Sequence, residues 1–581
     1  MLWGPRKLFT AYRRRLTSYE SVLAYAVLGI LGGAASGVAV LLFELAIREA
    51  GQLWGVTNGG EGFESLPRIM LFALPAGGAI VLGLFFTLVK PHNRETGIVH
   101  VISRMHSHYG ILPAKNALVQ FFGGVFALAT GQSGGREGPG VHLGGAVNSL
   151  LGQWLHLPNN SLRMLIACGT AGGISAAFQT PLAGVIFAME VIIAEYTVVG
   201  FIPVMLAAVS ASVITHSMAD GMSLFHLPAL ELNSLKEIPF IMLLGLCCGL
   251  SAGLFIHISK SAAKLSHWPV LVRFGIAGVL TGSLAYWVPE ILGMGYDTLD
   301  LALQGKLALS ALLIIAVTKL LATAVSCGVG MPIGLIGPNL MIGACMGGAL
   351  GAAAVTFAPN IAADPVLYIV IGMSAAMGAV LNAPLAAILA VIELTQTINI
   401  SMAAMLAIVI ATLTNSGVLR QPSAHQSALR QLQRQVSDNP LNRLLHRTDV
   451  NSTMDTRIVR APCTITTADM EPLIEFKPTW CLIARDEVDL YLVDGSQLLE
   501  WLLATEPNEA ESVDVTDADI RRFTIAEVPL EATLRQALDT MKNETTEAVA
   551  VYGRSANTGK RILHGVVTRE SIEKFTVGNV L

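Results

Sequence analysis

The sequence predicts an all-α polytopic membrane domain, made of two related halves of short, broken helices, followed by an α/β soluble tail. Of its 581 residues, 53% are hydrophobic and only 13% are charged, a composition typical of a chain that crosses a bilayer several times. Charged residues are scarce between residues 20 and 420 and frequent after residue 425. Many apolar segments are interrupted by glycine or proline, and several are too short to cross a hydrocarbon core of about 30 Å. Such helices indicate a transporter or channel with an internal repeat.

The chain divides into four predicted regions. Residues 1–19 are basic and precede the first apolar segment without a convincing cleavage site, so they indicate a cytoplasmic N-terminus. Residues 20–425 form the membrane domain, 426–450 a polar linker, and 451–581 the soluble tail. The seven cysteines have no paired spacing, so we expect neither disulfides nor a zinc site. The sequence contains no basic patch with interleaved aromatic residues, so nucleic acid is not an expected partner. The lipid bilayer is the expected environment.

The membrane domain contains an internal repeat. Residues Gly169–Val191 match Gly372–Leu394 at a constant offset of 203 residues, so that Pro181 aligns with Pro384 and Glu190 with Glu393. Near the starts of the halves, three glycines spaced by four residues recur at an offset of 216: Gly29, Gly33 and Gly37 against Gly245, Gly249 and Gly253. The predicted halves are therefore about 20–220 and 235–420. If they are inverted in the membrane, their Gly-Pro breaks meet near the midplane.

One acidic residue lies within the first of these breaks. The stretch GQSGGREGPGVHLGG places Glu137 among glycines and directly before Gly138-Pro139, between apolar segments. An ionisable group in an apolar span costs roughly 2.5–3.5 kcal/mol, which makes a functional role the default hypothesis. A helix start beside glycines predicts an anion site built from backbone amides. The alternative is a surface loop in which Arg136 and Glu137 are solvated.

These motifs resemble the CLC family of chloride channels and proton-coupled chloride exchangers. GREGP at Gly135–Pro139 is a family signature, TPLAG at Thr180–Gly184 and NAPLA at Asn382–Ala386 are similar to two proline-started helices of the family, and GLIGP stands where a Gly-x-Phe-x-Pro loop is usual. Thr96-Gly97-Ile98 stands where Gly-Ser-Gly-Ile-Pro is usual. The resemblance covers about residues 20–425 and is closest to the bacterial ClcB-type branch.

The resemblance implies a homodimer in the inner membrane, with both termini in the cytoplasm and one chloride pathway in each subunit. It makes Glu137 the external gate, whose carboxylate competes with chloride. The implied anion-binding residues at the two breaks are Arg136, Gly138, Leu335 and Ile336. Thr96 and Gly97 stand at the central site. The family's pore tyrosine corresponds to His425, or to Ala424 if the gap is placed differently.

Val191 is the departure that bears on mechanism. Exchangers of the family usually carry an inner glutamate at this position as a proton relay, and valine carries no proton. The sequence therefore favours a passive chloride channel with a glutamate gate, with a proton-coupled chloride antiporter of the same fold as the alternative. Glu190 and Glu195 remain possible relays, although the pairing of Glu190 with Glu393 favours a structural acid that is satisfied by nearby backbone.

The tail resembles a pair of CBS domains. The clearer copy spans Phe523–Phe575, and residues 451–503 look like a weaker copy. Many CBS pairs bind adenine nucleotides through a threonine and an aspartate three residues later. In the second copy Thr568 occupies the threonine position, but the residue three positions later is Ser571. In the first copy the same two positions are Asp494 and Gln497. The sequence thus favours a structural or dimer-stabilising role for the tail over binding of an adenine nucleotide, and no other cofactor is expected.

Two remote alternatives are a membrane enzyme and a CBS-regulated cation transporter. An enzyme is disfavoured because the sequence has no HExxH, no GxSxG and no paired aspartates in apolar spans. A divalent cation transporter needs acidic ligands that the spans do not supply.

Lys319 lies in an apolar segment, where it either raises the potential for anions or reaches an interface. His106, His108, His142 and His216 lack ligand spacing and indicate helix ends or interfaces.

Overall fold

The structure is a computed structural model that describes residues 22–580, except 57–60, 158, 197, 219–231, 233, 358, 360–363, 433–439, 486–487, 506–512 and 555–560. The described residues form two compact units. One comprises Val22–His156 with Leu162–Val436, and the other comprises Ser437–Leu581 with Leu157–Ser161. The predicted basic N-terminus, residues 1–19, lies outside the described residues.

Among the described residues, the first half of the membrane unit contains eight α-helices. Their bounds are α1 Val22–Gln52, α2 Arg68–Leu88, α3 Gly97–Ser107, α4 Ala114–Ala129, α5 Glu137–Trp154, α6 Asn159–Phe178, α7 Pro181–Phe187 and α8 Val198–Met218. A π-helical turn, Ala188–Ile193, extends α7. The proline that opens α7 suits a first helical position, where its missing N–H leaves no bond unmade.

The second half repeats this order. Its helices are α9 Ile238–Ala263, α10 Val270–Ala285, α11 Tyr296–Leu303, α12 Leu309–Gly328, α13 Ile336–Phe357, α14 Pro365–Leu381, α15 Pro384–Thr395 and α16 Ser401–Thr412. A π-helical turn, Leu413–Val418, extends α16. Among the described residues, eight helices are long and apolar enough to cross a membrane, and several others are shorter apolar helices of 10–17 residues. The predicted mixture of spanning and broken helices is therefore confirmed.

The repeated glycines make matching contacts in the two halves. A Cβ on Gly33 would lie 2.1 Å from the Ala207 carbonyl oxygen of α8, and one on Gly249 would lie 2.6 Å from the Ala411 oxygen of α16. Helix α1 thus packs on α8 as α9 packs on α16, with backbones too close for any side chain. This packing gives a physical reason for a spacing that could otherwise arise by chance.

Among the described residues, the strands of the tail form three small sheets, and two of these sheets share the same arrangement of three strands. Its strands are β1 Ile458–Pro462, β2 Thr464–Ile465, β3 Trp480–Arg485, β4 Val488–Asp494, β5 Val513–Asp514, β6 Arg522–Phe523, β7 Ile525–Pro529, β8 Ala548–Arg554 and β9 Arg561–Thr568. β1 pairs with β3 in parallel and β3 with β4 antiparallel. β7 and β8 pair in parallel and β8 and β9 antiparallel in the same way. The predicted α/β tail is confirmed, and its repeated topology agrees with a CBS pair.

Helices accompany these strands and the preceding segment. They are α17 Ala424–Gln431, α18 Pro440–Arg447, α19 Thr467–Phe476, α20 Gly495–Thr505, α21 Leu534–Asn543 and α22 Arg569–Val580. The segment before β1 pairs with the second copy, because the Val450 amide donates to the Ala532 oxygen at 3.0 Å and the Asp455 amide to the Val566 oxygen at 2.9 Å. Residues 448–455 therefore belong structurally to the second copy, although Val450 and its partner Ala532 are about 80 residues apart in sequence.

Candidate anion site

The Gly-Pro breaks of the two halves meet at one point. The Gly135 amide donates to the Gly334 oxygen at 2.8 Å, and the Gly334 amide donates to the Gly135 oxygen at 2.7 Å, as an isolated antiparallel bridge. Helix α5 begins at Glu137 and α13 at Ile336, directly after this bridge. First-turn amides have no intrahelical acceptor and carry the positive end of the helix dipole. Two such ends side by side suit an anion.

The carboxylate of Glu137 occupies the space between these helix starts. Its side chain is completely buried. A Cβ on Gly337 would lie 2.7 Å from Oε1, one on Gly334 3.1 Å from Oε2, and one on Gly135 1.9 Å from Oε2. Glycines of both halves thus leave room for the carboxylate between the two helix starts. The solvated-loop alternative for Glu137 is wrong because the side chain is enclosed.

One described side chain donates a hydrogen bond to this carboxylate. The Tyr296 hydroxyl, at the start of α11, donates to Glu137 Oε1. Oε2 has no hydrogen-bond partner among the described residues. Glu61 supports Tyr296 from behind, since its Oε2 accepts the amides of Gly295 and Tyr296, both at 3.0 Å. Neither contact is predicted by the sequence, because Glu61 and Tyr296 lie far from Glu137 along the chain.

Arg136 has three described partners. Its guanidinium donates to the Ala177 oxygen at 2.8 Å, lies 3.2 Å from Glu44 Oε1, and sits 5.5 Å from the centre of the Tyr296 ring. Its buried Nε has no hydrogen-bond partner among the described residues. These contacts pair Arg136 with Glu44 and Tyr296, and its expected role as an anion ligand stays a prediction.

Lys319 is fully buried on α12, so it does not reach an interface. Its Nζ donates to the Ile291 oxygen at 3.0 Å and the Gly293 oxygen at 2.9 Å. Both carbonyls belong to the loop that leads into Tyr296. The ammonium group therefore fixes that loop. This role differs from both predictions for Lys319, which were a raised potential for anions and a position at an interface.

The other predicted anion residues divide into two groups. At the break, Gly138 is buried against Gly334, Ile336 is buried at the first position of α13, and Leu335 is half-buried before it. Around α3, Thr96 precedes the helix without a side-chain capping bond, and the Gly97 amide donates to Gln120 Oε1 at 2.7 Å. The Gly97 amide is thus engaged by a protein acceptor, and its expected role as an anion ligand requires Gln120 to move.

His425 lies near the start of α17, which packs against α3. The side chain is 4% exposed, and its Nδ1 has no hydrogen-bond partner among the described residues. Ala424 is the first residue of the same helix and has no polar side chain. Of the two residues considered for the pore tyrosine position, His425 alone has a side chain that can donate to an anion.

The two repeat-related glutamates cap each other's helices. Glu190 accepts the amides of Leu385 and Ala386, at 3.3 and 2.8 Å, and Glu393 accepts those of Leu182 and Ala183, at 2.9 and 2.8 Å. Each half thus satisfies the first turn of the other half's proline-started helix. The prediction that backbone satisfies Glu190 is confirmed. Val191 lies beside it in the π-helical turn and is half-buried.

A buried histidine pair was also missed. His100 Nδ1 of α3 lies 2.8 Å from His142 Nε2 of α5, and the rings stack with centroids 5.1 Å apart. The interface placement expected of His142 is therefore correct, but its partner lies 42 residues away in sequence. No local pattern pairs these rings.

At the positions that were considered for nucleotide binding, the polar groups of the tail cap helices. The Ser571 amide donates to Thr568 Oγ1 at 3.1 Å, and Ser571 Oγ donates to the Thr568 oxygen at 2.8 Å. In the first copy, Asp494 accepts the amides of Ser496 and Gln497. Thr568 therefore has a structural function that does not depend on a ligand.

The membrane unit that contains this site matches a known protein family. The family model described as voltage gated chloride channel matches residues 77–416, more than half of the chain. The chain belongs to the voltage gated chloride channel family. The resemblance carried by GREGP and the proline-started helices is thus confirmed.

Two curated relatives share most of their length with the chain. A ClcB-like chloride channel protein of Ralstonia nicotianae is 28% identical over 415 residues, which is 70% of this chain and 96% of the relative. The H(+)/Cl(-) exchange transporter ClcA of Vibrio vulnificus is 28% identical over 397 residues, which is 66% of this chain and 85% of the relative. The first agrees with the ClcB-type branch that the motifs indicate.

Solved structures share the fold. A slow cyanobacterial Cl-/H+ antiporter aligns with a TM-score of 0.61 and 21% identity, over 70% of this chain and 97% of its own. A eukaryotic CLC transporter aligns with a TM-score of 0.58 and 18% identity, over 95% of this chain and 99% of its own. The second alignment includes the tail, so the combination of membrane domain and tail recurs in another family member.

Proposed function

We propose that the chain exchanges chloride for protons across a membrane and that Glu137 is the group used by both ions. One observation carries the proposal: the Glu137 carboxylate lies between the starts of α5 and α13, where backbone amides suit an anion. Two negative groups at one site of low dielectric repel strongly. Chloride therefore enters when the carboxylate leaves, and a carboxylate that leaves can take up a proton.

Relatives support exchange over passive conduction. The Vibrio vulnificus relative is named an H(+)/Cl(-) exchange transporter, as are several others of similar identity. The ClcB-like relative is named a chloride channel protein. The channel interpretation depends on Val191, which removes one proton carrier but not the alternatives of water or another acid. Exchange is therefore our first proposal, and a gated chloride channel is the second.

The remaining roles are part of this proposal. Gly138, Leu335 and Ile336 would supply outer amides, while Thr96 and His425 would line the inner part of the pathway. The proposal also includes a homodimer in the inner membrane with both termini in the cytoplasm, and the bacterial source of the relatives supports the inner membrane. For the tail we propose a structural role, with adenine nucleotide binding as the less favoured possibility.

The deciding experiment measures proton movement in chloride-loaded liposomes that contain the purified protein. A chloride gradient is imposed without a pH gradient, and the voltage is clamped so that leaked protons have no driving force. Exchange predicts uphill proton movement that stays proportional to chloride efflux. Chloride efflux without proton movement would reject exchange and leave the gated channel.

The variant Glu137→Ala serves as the internal control. It removes the group that the two ions share, so chloride efflux is expected to continue while proton movement ceases. Loss of chloride efflux in a folded Glu137→Ala protein would contradict the assignment of Glu137 as the gate. Elution as a single species in size-exclusion chromatography establishes that the variant is folded.

A further inference from the structure

The gate carboxylate has a specific neutral donor. Glu137 Oε1 accepts the Tyr296 hydroxyl, while Oε2 has no hydrogen-bond partner among the described residues. Helix α11, which begins at Tyr296, lies 159 residues from Glu137 in sequence. The contact is therefore built by the tertiary structure and joins the two halves of the membrane unit.

Tyr296 is held independently of Glu137. Glu61 Oε2 accepts its amide and that of Gly295, and Lys319 fixes the two carbonyls before it, those of Ile291 and Gly293. Gly295 has φ +84°, which lets the chain turn into α11. The ring of Tyr296 packs edge-on against Phe178, with centroids 6.5 Å apart. With the hydroxyl fixed on this support, the movable partner is the carboxylate.

We propose that Tyr296 is a latch for the gate: its hydroxyl holds the Glu137 carboxylate in the anion site, and chloride binds only when this hydrogen bond is broken. This inference rests on the proposed function, since it assumes that chloride competes with Glu137. A hydrogen bond to a charged group is worth about tenfold to a hundredfold in an equilibrium constant. The latch therefore lowers the fraction of molecules whose site is vacant, and apparent chloride affinity falls by the same factor.

A purely structural role for the hydroxyl makes a different prediction. If Tyr296 only satisfies its own buried hydroxyl, its removal alters stability but not chloride affinity. If Tyr296 is itself an anion ligand, its removal weakens chloride binding. The latch alone predicts tighter binding, and only while Glu137 is present.

The test is a double-mutant cycle on chloride binding by isothermal titration calorimetry with the full-length protein in detergent. Tyr296→Phe keeps the ring beside Arg136 and Phe178 and is expected to lower the chloride Kd about tenfold. In a Glu137→Ala background the same substitution is expected to leave the Kd unchanged within twofold. Tyr368→Phe is the matched control, because Tyr368 also donates from a buried position to a glutamate, Glu237 Oε2 at 3.1 Å, and it should not alter the Kd.

A second variant reverses the sign. Fluorotyrosine at position 296 keeps the ring and makes the hydroxyl a stronger donor, so it is expected to weaken chloride binding. An unchanged Kd in Tyr296→Phe, or weaker binding in both backgrounds, would overturn the latch. A wild-type protein that binds no chloride would instead defeat the proposed anion site, so the two failures are distinguishable.

Discussion

At the scale of single residues, the site depends on glycines, whose lack of a side chain leaves room for the Glu137 carboxylate. Gly135, Gly334 and Gly337 are close enough to the Glu137 carboxylate that a methyl group on any of them would press on it or displace it. An anion site made of amides needs close backbone approach, which glycine permits. These glycines therefore set the shape of the site as much as Glu137 sets its charge.

Gly337→Ala is expected to displace the gate. Its Cβ would lie 2.7 Å from Glu137 Oε1 and 3.1 Å from the Tyr296 hydroxyl oxygen, and overpacking of this kind costs about 1–3 kcal/mol. We expect the ratio of proton to chloride flux in liposomes to fall severalfold as the carboxylate is forced out. Gly275→Ala is the control, since a Cβ there meets no atom within 4 Å. An unchanged flux ratio in Gly337→Ala would contradict this geometry.

At the scale of elements, the proline-started helices α7 and α15 are capped across the repeat by Glu393 and Glu190. A helix start without a partner for its amides is costly in an apolar setting. The exchange of caps ties the halves together and explains why both acids recur in the repeat.

Glu190→Gln is expected to destabilise the protein without affecting proton coupling. Glutamine has a single side-chain oxygen for two amides, so we expect a loss of about 1–2 kcal/mol, seen as a lower Tm of the full chain in detergent. Glu393→Gln is the matched variant from the other half and should lose a similar amount. If Glu190→Gln abolished proton movement while Glu393→Gln preserved it, Glu190 would be a proton relay and not merely a cap.

Asp449 gives the tail a dependence on pH. Burial, together with the nearby charge of Glu531, raises the pKa of its carboxyl from 3.8 to about 7. The carboxyl caps the short helix Val450–Ser452, and its Oδ2 has no hydrogen-bond partner among the described residues. As pH rises from about 4 to 7, the unfolded chain loses this proton before the folded chain does. The folded tail therefore loses stability across that window, and the loss persists above pH 7.

Asp449→Asn is expected to remove this loss while keeping a side-chain acceptor for the cap. The variant should stabilise the tail by roughly 2–4 kcal/mol at pH 8 and have little effect at pH 4. Calorimetric unfolding of the full chain at the two pH values measures the difference. Equal effects at both pH values would show that the Asp449 proton is not involved.

At the scale of the whole molecule, the chain consists of two compact units with different kinds of core. The described part of the membrane unit consists mainly of helices, in which most main-chain groups bond within the helix, as suits a bilayer. The tail is a small α/β structure with its own buried clusters around β1–β4 and around β7–β9. Units of such different environment are expected to unfold separately.

Cysteine labelling can follow this separation. Cys463 and Cys481 are buried in the tail, whereas Cys168, Cys248 and Cys345 are buried in the membrane unit. Burial raises the pKa of the Cys481 thiol to about 12, so little reactive thiolate forms before unfolding. In lipid nanodiscs, increasing urea should expose the tail pair to a thiol reagent first. Simultaneous labelling of all five would indicate a single cooperative unit.

The sequence by itself determined the parts of this protein that depend on local pattern and repetition. Apolar segments broken by glycine and proline predicted the helices, the offset of 203 residues predicted two halves, and the pairing of Glu190 with Glu393 predicted structural acids. GREGP placed Glu137 at a helix start. Each of these features is set by residues close together in the chain or by an internal copy.

Only the tertiary structure decided which distant groups meet. Tyr296 reaches Glu137, Arg136 turns to Glu44, and Gln120 takes the Gly97 amide, each across more than 20 residues of sequence. Nothing in local periodicity encodes these pairs, because a buried polar group needs a partner but does not specify its position along the chain. The position of Glu137 at a helix start was therefore readable from the sequence, whereas the contacts of its carboxylate depend on how the two halves pack.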